Sequence, residues 1–186
     1  MGGVMGKRSD FKRRPMDYYA TPEEAVLPLL PWLPRQTRFC EPCAGEGHLI
    51  RHLEKQGHQC ASAFDLNPES VYPEQDATFL MSADLAGANM IITNPPWSRP
   101  ILHALIDRFV CLAPTWLLFD ADWAFTKQSI PYMDYCQMIV AVGRVKWIEG
   151  SKNTGKDNCA WYLFGGRTVP APEGCKFAPP LFVGRR

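Results

Sequence analysis

The chain has 186 residues, of which 46% are hydrophobic and 21% charged, with a formal net charge of +1. This composition is typical of one globular domain with enough apolar side chains for a core, and it excludes a disordered, collagen-like or coiled-coil chain. The longest uncharged apolar run, residues 110–119, is far shorter than the ~20 residues that a membrane-spanning helix needs. Because the net charge is small, any binding of nucleic acid requires a local basic patch.

The N-terminal stretch precedes the first predicted helix. Residues 1–16 are rich in glycine and then in basic side chains, which predicts a flexible basic arm that is either a solvated tail or a segment that contacts phosphates. No long apolar stretch follows the basic residues, so a secretory signal is not expected. The sequence Thr21-Pro22-Glu23-Glu24 then predicts the start of a short helix, with Thr21 as the N-cap residue.

The next elements alternate between strands and helices. Amphipathic helices are predicted over 48–56 and 100–111, and strands over 37–41, 60–64, 90–93, 115–119, 137–142 and 160–164. This alternation is typical of a parallel sheet covered by helices. Ligands of such sheets bind at the carboxyl ends of the strands. The unusual residues of this chain lie at three such ends: 41–47, Asp65 and 94–97.

The tetrapeptide Asn94-Pro95-Pro96-Trp97 follows the apolar strand 90–93. Two consecutive prolines form a stiff turn that has no backbone N–H donors. What remains is a set of acceptors, the Asn94 side-chain oxygen and the carbonyls of Asn94 and Pro95, beside the large ring of Trp97. This combination suits a planar group that carries an NH₂, such as a nucleobase. The alternative is a purely structural turn with Trp97 in the core.

The segment Glu41-Pro42-Cys43-Ala44-Gly45-Glu46-Gly47 places an acid at a strand end and a Gly-x-Gly turn before a helix. Glycines let the backbone approach a ligand closely, and a helix N-terminus favours a carboxylate. The dinucleotide fingerprint is absent, because Ile50 occupies the position of its third glycine. Asp65 ends the next strand, where an acid contacts ribose hydroxyls in nucleoside-binding sheets.

The seven cysteines are odd in number and scattered, which predicts reduced thiols and a cytoplasmic location. Cys40 and Cys43, followed by His48 and His52, also suggest a zinc site. The spacer between the second cysteine and the first histidine is much shorter than the ~12 residues of a zinc finger. We therefore interpret these residues as part of the strand and glycine turn, and we expect no metal.

These motifs resemble those of a known enzyme family. Residues 41–47 resemble motif I of class I S-adenosylmethionine methyltransferases, and Asp65 resembles their second-strand acid. Residues 94–97 resemble the Asn/Asp-Pro-Pro-aromatic motif of amino-methyltransferases, above all the adenine-N6 DNA methyltransferases. Residues 17–22 resemble the segment that closes over the cofactor, and the motif order is that of the gamma arrangement. The similarity covers about residues 17–165 and is greatest to small phage or prophage enzymes, which implies the cytoplasm of a bacterial host.

The resemblance implies an α/β class I methyltransferase (Rossmann-like) fold, with a mostly parallel seven-stranded sheet and helices on both faces. Residues 17–165 would form the catalytic domain. Residues 1–16 would be the flexible basic arm and residues 166–186 a Pro/Gly-rich C-terminal tail. A separate target-recognition domain is not expected, which predicts either low sequence specificity or specificity supplied by an oligomer or a partner.

The resemblance also implies S-adenosylmethionine as the cofactor. Its predicted binding residues are Tyr19, Thr21, Glu41, Cys43, Ala44, Gly45, Gly47 and Asp65. For the cofactor's adenine two acids are candidates: Asp76 lies in a matching local sequence, whereas Asp84 has the more usual distance from Asp65. We prefer Asp76.

The catalytic motif would consist of Asn94, Pro95, Pro96 and Trp97. By resemblance, Asn94 and Pro95 would accept hydrogen bonds from the target amine, and Trp97 would stack on the target ring. The predicted reaction is methyl transfer to the N6 amine of adenine in DNA, either duplex with a flipped adenine or single-stranded, without a membrane partner. The alternatives are the same chemistry on RNA or on a protein glutamine amide, and a non-catalytic protein that binds the cofactor or DNA.

Overall fold

The computed structural model describes residues 19–148, 154–165 and 181–183. The predicted basic arm and most of the predicted tail lie outside these residues. The strands are β1 (Arg38–Glu41), β2 (Gln59–Ala63), β3 (Met90–Thr93), β4 (Thr115–Asp120), β5 (Cys136–Gly143), β6 (Cys159–Phe164) and β7 (Leu181–Val183). The helices are α1 (Glu23–Val26), α2 (His48–Lys55), α3 (Arg99–Phe109) and α4 (Ile130–Met133), with short 3-10 helices at Leu30–Trp32, Ala77–Phe79, Ser82–Leu85, Ala121–Phe125 and Lys127–Ser129.

All seven strands form one sheet in the order β2-β1-β3-β4-β6-β5-β7. Neighbouring strands are parallel except where β6 lies antiparallel between β4 and β5. The prediction of a mostly parallel seven-stranded sheet is therefore confirmed. Because β1 to β5 all run in the same direction, the loops that follow them meet at one edge of the sheet, where the site motifs lie.

Helices cover both faces of this sheet, as predicted. Successive side chains of a strand point to opposite faces. In β4, Trp116 packs in the cluster that contains α1 and α2, whereas Leu117 packs in the cluster that contains α3. Both side chains are almost fully buried. This alternation explains why the central strand reads as a continuous apolar run.

The seventh strand was not among the strands predicted from the sequence. It lies in the stretch predicted as a tail and pairs in parallel with β5, from Met138 opposite Leu181 to Val140 opposite Val183. Beyond the end of β2, at the other edge of the sheet, Asp65 and Glu74 form a single isolated parallel bridge. A strand of three residues among prolines and glycines carries too little periodicity to be recognised in advance.

Two predictions at helix ends are wrong in detail. The N-cap residue of α1 is Pro22, and no side chain caps this helix. Thr21, predicted to cap it, is 5% exposed, and its hydroxyl accepts a hydrogen bond from Asn94 instead. Ile101 follows the apolar period of α3, which predicts a position in the core, but it is 44% exposed. Both residues line the cavity described below. None of the helices in the described ranges is long and apolar enough to cross a membrane.

Gly47, at the start of α2, provides a test of local packing. Its φ is +74°, and a Cβ there would lie 2.1 Å from the Tyr72 hydroxyl oxygen. Gly57 has a φ of +85° with no atom within 4 Å of such a Cβ. Substitution by alanine costs roughly 1–2 kcal/mol at either position through the left-handed backbone. We expect Gly47→Ala to lower the free energy of unfolding by about 1 kcal/mol more than Gly57→Ala, because it must also displace Tyr72.

Urea unfolding of the two variants measures this difference. Adding Tyr72→Phe to Gly47→Ala should recover part of the extra loss, because the closest clashing atom is removed. Equal losses in the two alanine variants would show that Tyr72 does not constrain the turn.

Candidate active site

A cavity of about 720 Å³ opens at the carboxyl edge of the sheet. It lies among the loops that follow β1, β2 and β3, the segment before α1, and one side of α3. The lining residues are Tyr19, Ala20, Thr21, Pro42, Cys43, Ala44, Gly45, Glu46, His48, Asp65, Leu66, Asn67, Glu69, Ser70, Val71, Gln75, Asp76, Ala77, Thr78, Asn94, Pro96, Ile101 and Leu105. Its volume lies within the range of about 300–1,000 Å³ that is usual for small-molecule sites. The cavity connects the glycine turn to Asn94.

The glycine turn is held by the loop that follows β2. The backbone N–H of Gly45 donates to Asp65 Oδ2 at 2.6 Å, and the Ser70 hydroxyl donates to the Gly45 carbonyl at 3.0 Å. The other carboxylate oxygen, Asp65 Oδ1, accepts from the backbone N–H of Asn67 at 2.8 Å. Each carboxylate oxygen keeps acceptor capacity beyond these bonds. Asp65 therefore fixes the cavity wall and still has lone pairs for a ligand's hydroxyls.

The two candidate acids for an adenine differ in position. Asp76 lines the cavity, and its Oδ1 accepts from the N–H of Thr78 at 2.9 Å and from the Thr78 hydroxyl at 2.7 Å. Asp84 is not among the lining residues. Its Oδ2 accepts from the Gln75 side chain at 3.0 Å and from the N–H of Met81 at 2.7 Å. Only Asp76 is therefore placed to contact a ligand directly.

Glu41 lies behind the cavity wall and is only 1% exposed. Its Oε1 accepts a long hydrogen bond, 3.4 Å, from the N–H of Cys43. Burial raises the pKa of Glu41 to about 8, although the nearby Thr93 hydroxyl lowers the pKa in part. Neither that hydroxyl nor Glu41 Oε2 makes a hydrogen bond of normal geometry within the described residues. Because this carboxyl is buried with one unpaired oxygen, its ionised form is costly unless a cation lies nearby.

The side-chain amide of Asn94 uses three of its four hydrogen-bonding positions. Nδ2 donates to the Thr21 hydroxyl at 3.1 Å and to the Tyr19 carbonyl at 3.4 Å. Oδ1 accepts from the indole N–H of Trp97 at 3.2 Å. An indole only donates and a carbonyl only accepts, so these partners fix which end of the amide is oxygen. Within the described residues, the remaining position is an acceptor lone pair on Oδ1.

The ring of Trp97 lies beside the cavity but is not among its lining residues. Its N–H also donates to the Leu118 carbonyl at 3.1 Å. The ring meets Trp147 edge to face, with ring centroids 5.5 Å apart. The rings of Trp147 and Tyr19 also meet edge to face, with centroids 6.4 Å apart. Trp147 lies after the end of β5. This aromatic row therefore forms a wall behind Asn94.

Most of the predicted site residues meet at this cavity. Those that line it are Tyr19, Thr21, Cys43, Ala44, Gly45, Asp65, Asp76, Asn94 and Pro96; those that do not are Glu41, Gly47, Pro95 and Trp97. Leu66 and Val71 line it without having been predicted and are 55% and 87% exposed. Apolar loop residues give no periodic signal that separates ligand contacts from core, so the sequence could not single them out.

The Cys40–Cys43 pair does not have the properties of a thiol centre. Burial raises the pKa of the Cys40 thiol to about 11 and that of Cys43 further still, so both thiols remain protonated near neutral pH. A reactive cysteine requires a lowered pKa. In the residues that the structure describes, no group of three or more His, Cys, Asp or Glu side chains is arranged to hold a metal ion.

Comparisons with known proteins bear on the fold. No family model and no curated protein matches the chain. Among solved structures, a candidate RNA methyltransferase of Pyrococcus horikoshii is similar with a TM-score of 0.54 and 12% identity, covering 81% of this chain and 87% of that one. A candidate class I S-adenosylmethionine-dependent methyltransferase of Listeria monocytogenes has a TM-score of 0.51 and 10% identity over 87% and 62%.

The methyltransferase subunit of a type I restriction-modification system from Streptococcus thermophilus has a TM-score of 0.53 and 9% identity, covering 80% of this chain and 45% of that one. This chain has the class I methyltransferase fold. The predicted fold is thereby confirmed. At identities this low the likeness concerns the fold, and the reaction has to be argued from the site itself.

The buried carboxyl of Glu41 gives a prediction for pH. Its pKa lies above the ordinary value of 4.5, so folding favours the protonated form. Its contribution to stability is complete below pH 4.5 and is lost as the pH rises to about 8. We expect Glu41→Gln, which stays neutral, to gain stability relative to wild type over this window, by on the order of 4–5 kcal/mol at full ionisation.

Chemical denaturation of both proteins from pH 5 to pH 9 measures the difference. Because other titrating groups are shared by the two proteins, their effects cancel. A difference that does not change with pH would mean that Glu41 is ionised with a partner in the folded protein.

Proposed function

We propose that the cavity binds S-adenosylmethionine. The class I fold supports this, as does a volume suited to a nucleoside-sized ligand. Asp65 offers acceptors for ribose hydroxyls, and Asp76, near the apolar side chains of Leu66 and Val71, suits an adenine. Glu41, behind the glycine turn, has one unpaired carboxyl oxygen, and the positive charge of the amino-acid part would favour its ionised form. The residues present therefore fit this cofactor.

We further propose that the protein methylates the exocyclic N6 amine of adenine in DNA. The observation that carries this proposal is the single acceptor position left on Asn94. The two prolines after Asn94 contribute no N–H groups, so the corner at Asn94 offers acceptors to a ligand. An NH₂ group, which donates hydrogen bonds, is the complement of such a site. A group that only accepts, such as a carboxylate, would find no free N–H on this amide.

The chemistry follows from these acceptors. An aromatic amine is a poor nucleophile, because its lone pair is delocalised into the ring. S-adenosylmethionine supplies a methyl group on a sulfonium that becomes a neutral thioether when the methyl leaves. Asn94 Oδ1 accepts a hydrogen bond from one N–H of the amine. This bond raises the electron density on the amine nitrogen as the nitrogen becomes tetrahedral and gains positive charge. The new N–CH₃ bond uses the nitrogen lone pair, and the extra proton is lost to water.

The choice of DNA rests on two supports. The residues 94–97 resemble the motif of adenine-N6 DNA methyltransferases, and one structural neighbour belongs to a restriction-modification system. An adenine in a duplex must leave the stack to reach the cavity, at a cost of a few kcal/mol. Between β4 and β5 the structure has only short helices, which gives little surface for reading a groove. We therefore propose low sequence specificity.

The proposal predicts transfer of a labelled methyl group from S-adenosylmethionine to DNA. Nucleoside analysis should find N6-methyldeoxyadenosine in many sequence contexts. We expect Asn94→Ala to lower the transfer rate by about 100-fold or more, since it removes an acceptor that acts on the developing charge. Asn89→Ala is the matched control, because Asn89 is exposed and lies before β3, away from the cavity.

RNA and protein are offered in the same assay. Label in RNA or in glutamine, with none in DNA, would reject DNA as the substrate while keeping the amine chemistry. Methylated cytosine would reject adenine. Methylation of one long sequence alone would reject low specificity, and full activity of Asn94→Ala would reject the role of this residue.

A further inference from the structure

We propose that Trp97 is a positioning residue, whose indole N–H orients the amide of Asn94 for the target amine. This inference rests on the proposed function and deepens it. It assigns to Trp97 an action through Asn94 that is separate from the stacking expected from the motif. The two roles depend on different parts of the side chain, the N–H group and the ring face, so they can be tested separately.

The geometry of the N–H supports the positioning role. Its hydrogen is shared between Asn94 Oδ1 at 3.2 Å and the Leu118 carbonyl at 3.1 Å. Leu118 is fully buried in β4, which pairs directly with β3, the strand that ends before Asn94. The indole therefore links the Asn94 amide to the backbone of a rigid neighbouring strand.

The position of the ring supports the same role. Trp97 packs with the buried residues of the core and meets Trp147 edge to face. It is absent from the residues that line the cavity, whereas Asn94 and Pro96 on either side of Pro95 are among them. A ring held in this way is placed to act on Asn94, which it contacts, more directly than on a base in the cavity.

The chemistry of the indole explains why tryptophan suits this place. An indole N–H can only donate a hydrogen bond. It therefore pairs with the oxygen of the amide and cannot pair with the amide NH₂ group. Phenylalanine offers no donor, and a tyrosine hydroxyl both donates and accepts, so neither residue enforces this choice. With the oxygen end held by Trp97, the one open position of the amide is an acceptor, as the amine requires. Turned over, the amide would present N–H groups and repel the amine.

The α3 side of the motif is fixed independently. Arg99 forms an ion pair with Asp120 at the end of β4. The loop that follows β3 is therefore attached to strand β4 at two points, through Trp97 and through Arg99. A loss of the indole N–H therefore leaves Arg99 to anchor this loop, and it removes only the two hydrogen bonds to the Asn94 side chain and to the Leu118 carbonyl.

The deciding experiment replaces Trp97 with benzothienylalanine, in which sulfur replaces the N–H and the ring shape is kept. Trp116 with the same replacement is the matched control, because its buried indole N–H has no hydrogen-bond partner in the described residues. We expect kcat for DNA methylation to fall by about tenfold at position 97, as for the loss of one hydrogen bond. The Kd of S-adenosylmethionine should stay within about twofold of wild type at both positions. Trp97→Phe, which also lacks the donor, should show the same fall in kcat.

Wild-type kcat in the Trp97 analogue would overturn the inference and leave stacking as the role of Trp97. An equal fall in kcat at Trp116 would also overturn it, since a general packing effect would then explain both.

A second readout does not need turnover. In ¹⁵N-labelled protein, the Trp97 indole signal, assigned through Trp97→Phe, should shift in Asn94→Ala, whereas the Trp116 signal should not. An unchanged Trp97 signal would reject the hydrogen bond. If wild-type protein transfers no methyl group to any acceptor while this shift is seen, the proposed function fails and the contact between Trp97 and Asn94 stands.

Discussion

The site depends on one constraint, the nearly complete hydrogen bonding of the Asn94 side-chain amide. Its two N–H groups are bound by Thr21 and the Tyr19 carbonyl, and one lone pair is bound by Trp97. An amide free to turn over would present donors as readily as acceptors. The Tyr19 carbonyl can only accept and the Trp97 indole can only donate, so these two partners allow one orientation of the amide. In that orientation the amide has a single acceptor position left for a ligand. Preorganisation of this kind is what makes a fixed dipole effective on developing charge.

The fold produces this constraint from segments that are far apart in sequence. The parallel strands bring the ends of β1, β2 and β3 to one edge, so that the glycine turn, Asp65 and Asn94 line one cavity. The segment before α1 then closes over the same edge and supplies Tyr19 and Thr21. The buried Glu41 lies behind the cavity wall, and the glycine turn that it precedes contributes Gly45 to the lining. One sheet edge therefore carries both the proposed cofactor pocket and the proposed acceptor for the target amine.

The strand and helix pattern, and the positions of the motifs at strand ends, could be predicted because they depend on local periodicity and on residues with restricted backbones, such as Pro95 and Gly47. Three features could not be predicted: the short strand β7, the hydrogen bond between Thr21 and Asn94, and the exposure of Ile101. Each depends on residues that are distant in the chain. The same holds for Trp97: its residue type suggested a stacking surface, whereas its contacts with Asn94 and Leu118 exist only in the folded protein.

The central claim is that the Asn94 oxygen accepts a hydrogen bond from the target amine, and a binding cycle tests it most directly. Binding to wild type and to Asn94→Ala is measured, with S-adenosylhomocysteine present, for two oligonucleotides that carry an unpaired adenine or purine without the amine. We predict that loss of the amine weakens binding to wild type by about tenfold and leaves binding to Asn94→Ala nearly unchanged. An equal loss in both proteins would show that the amine does not bind at Asn94 and would contradict the account.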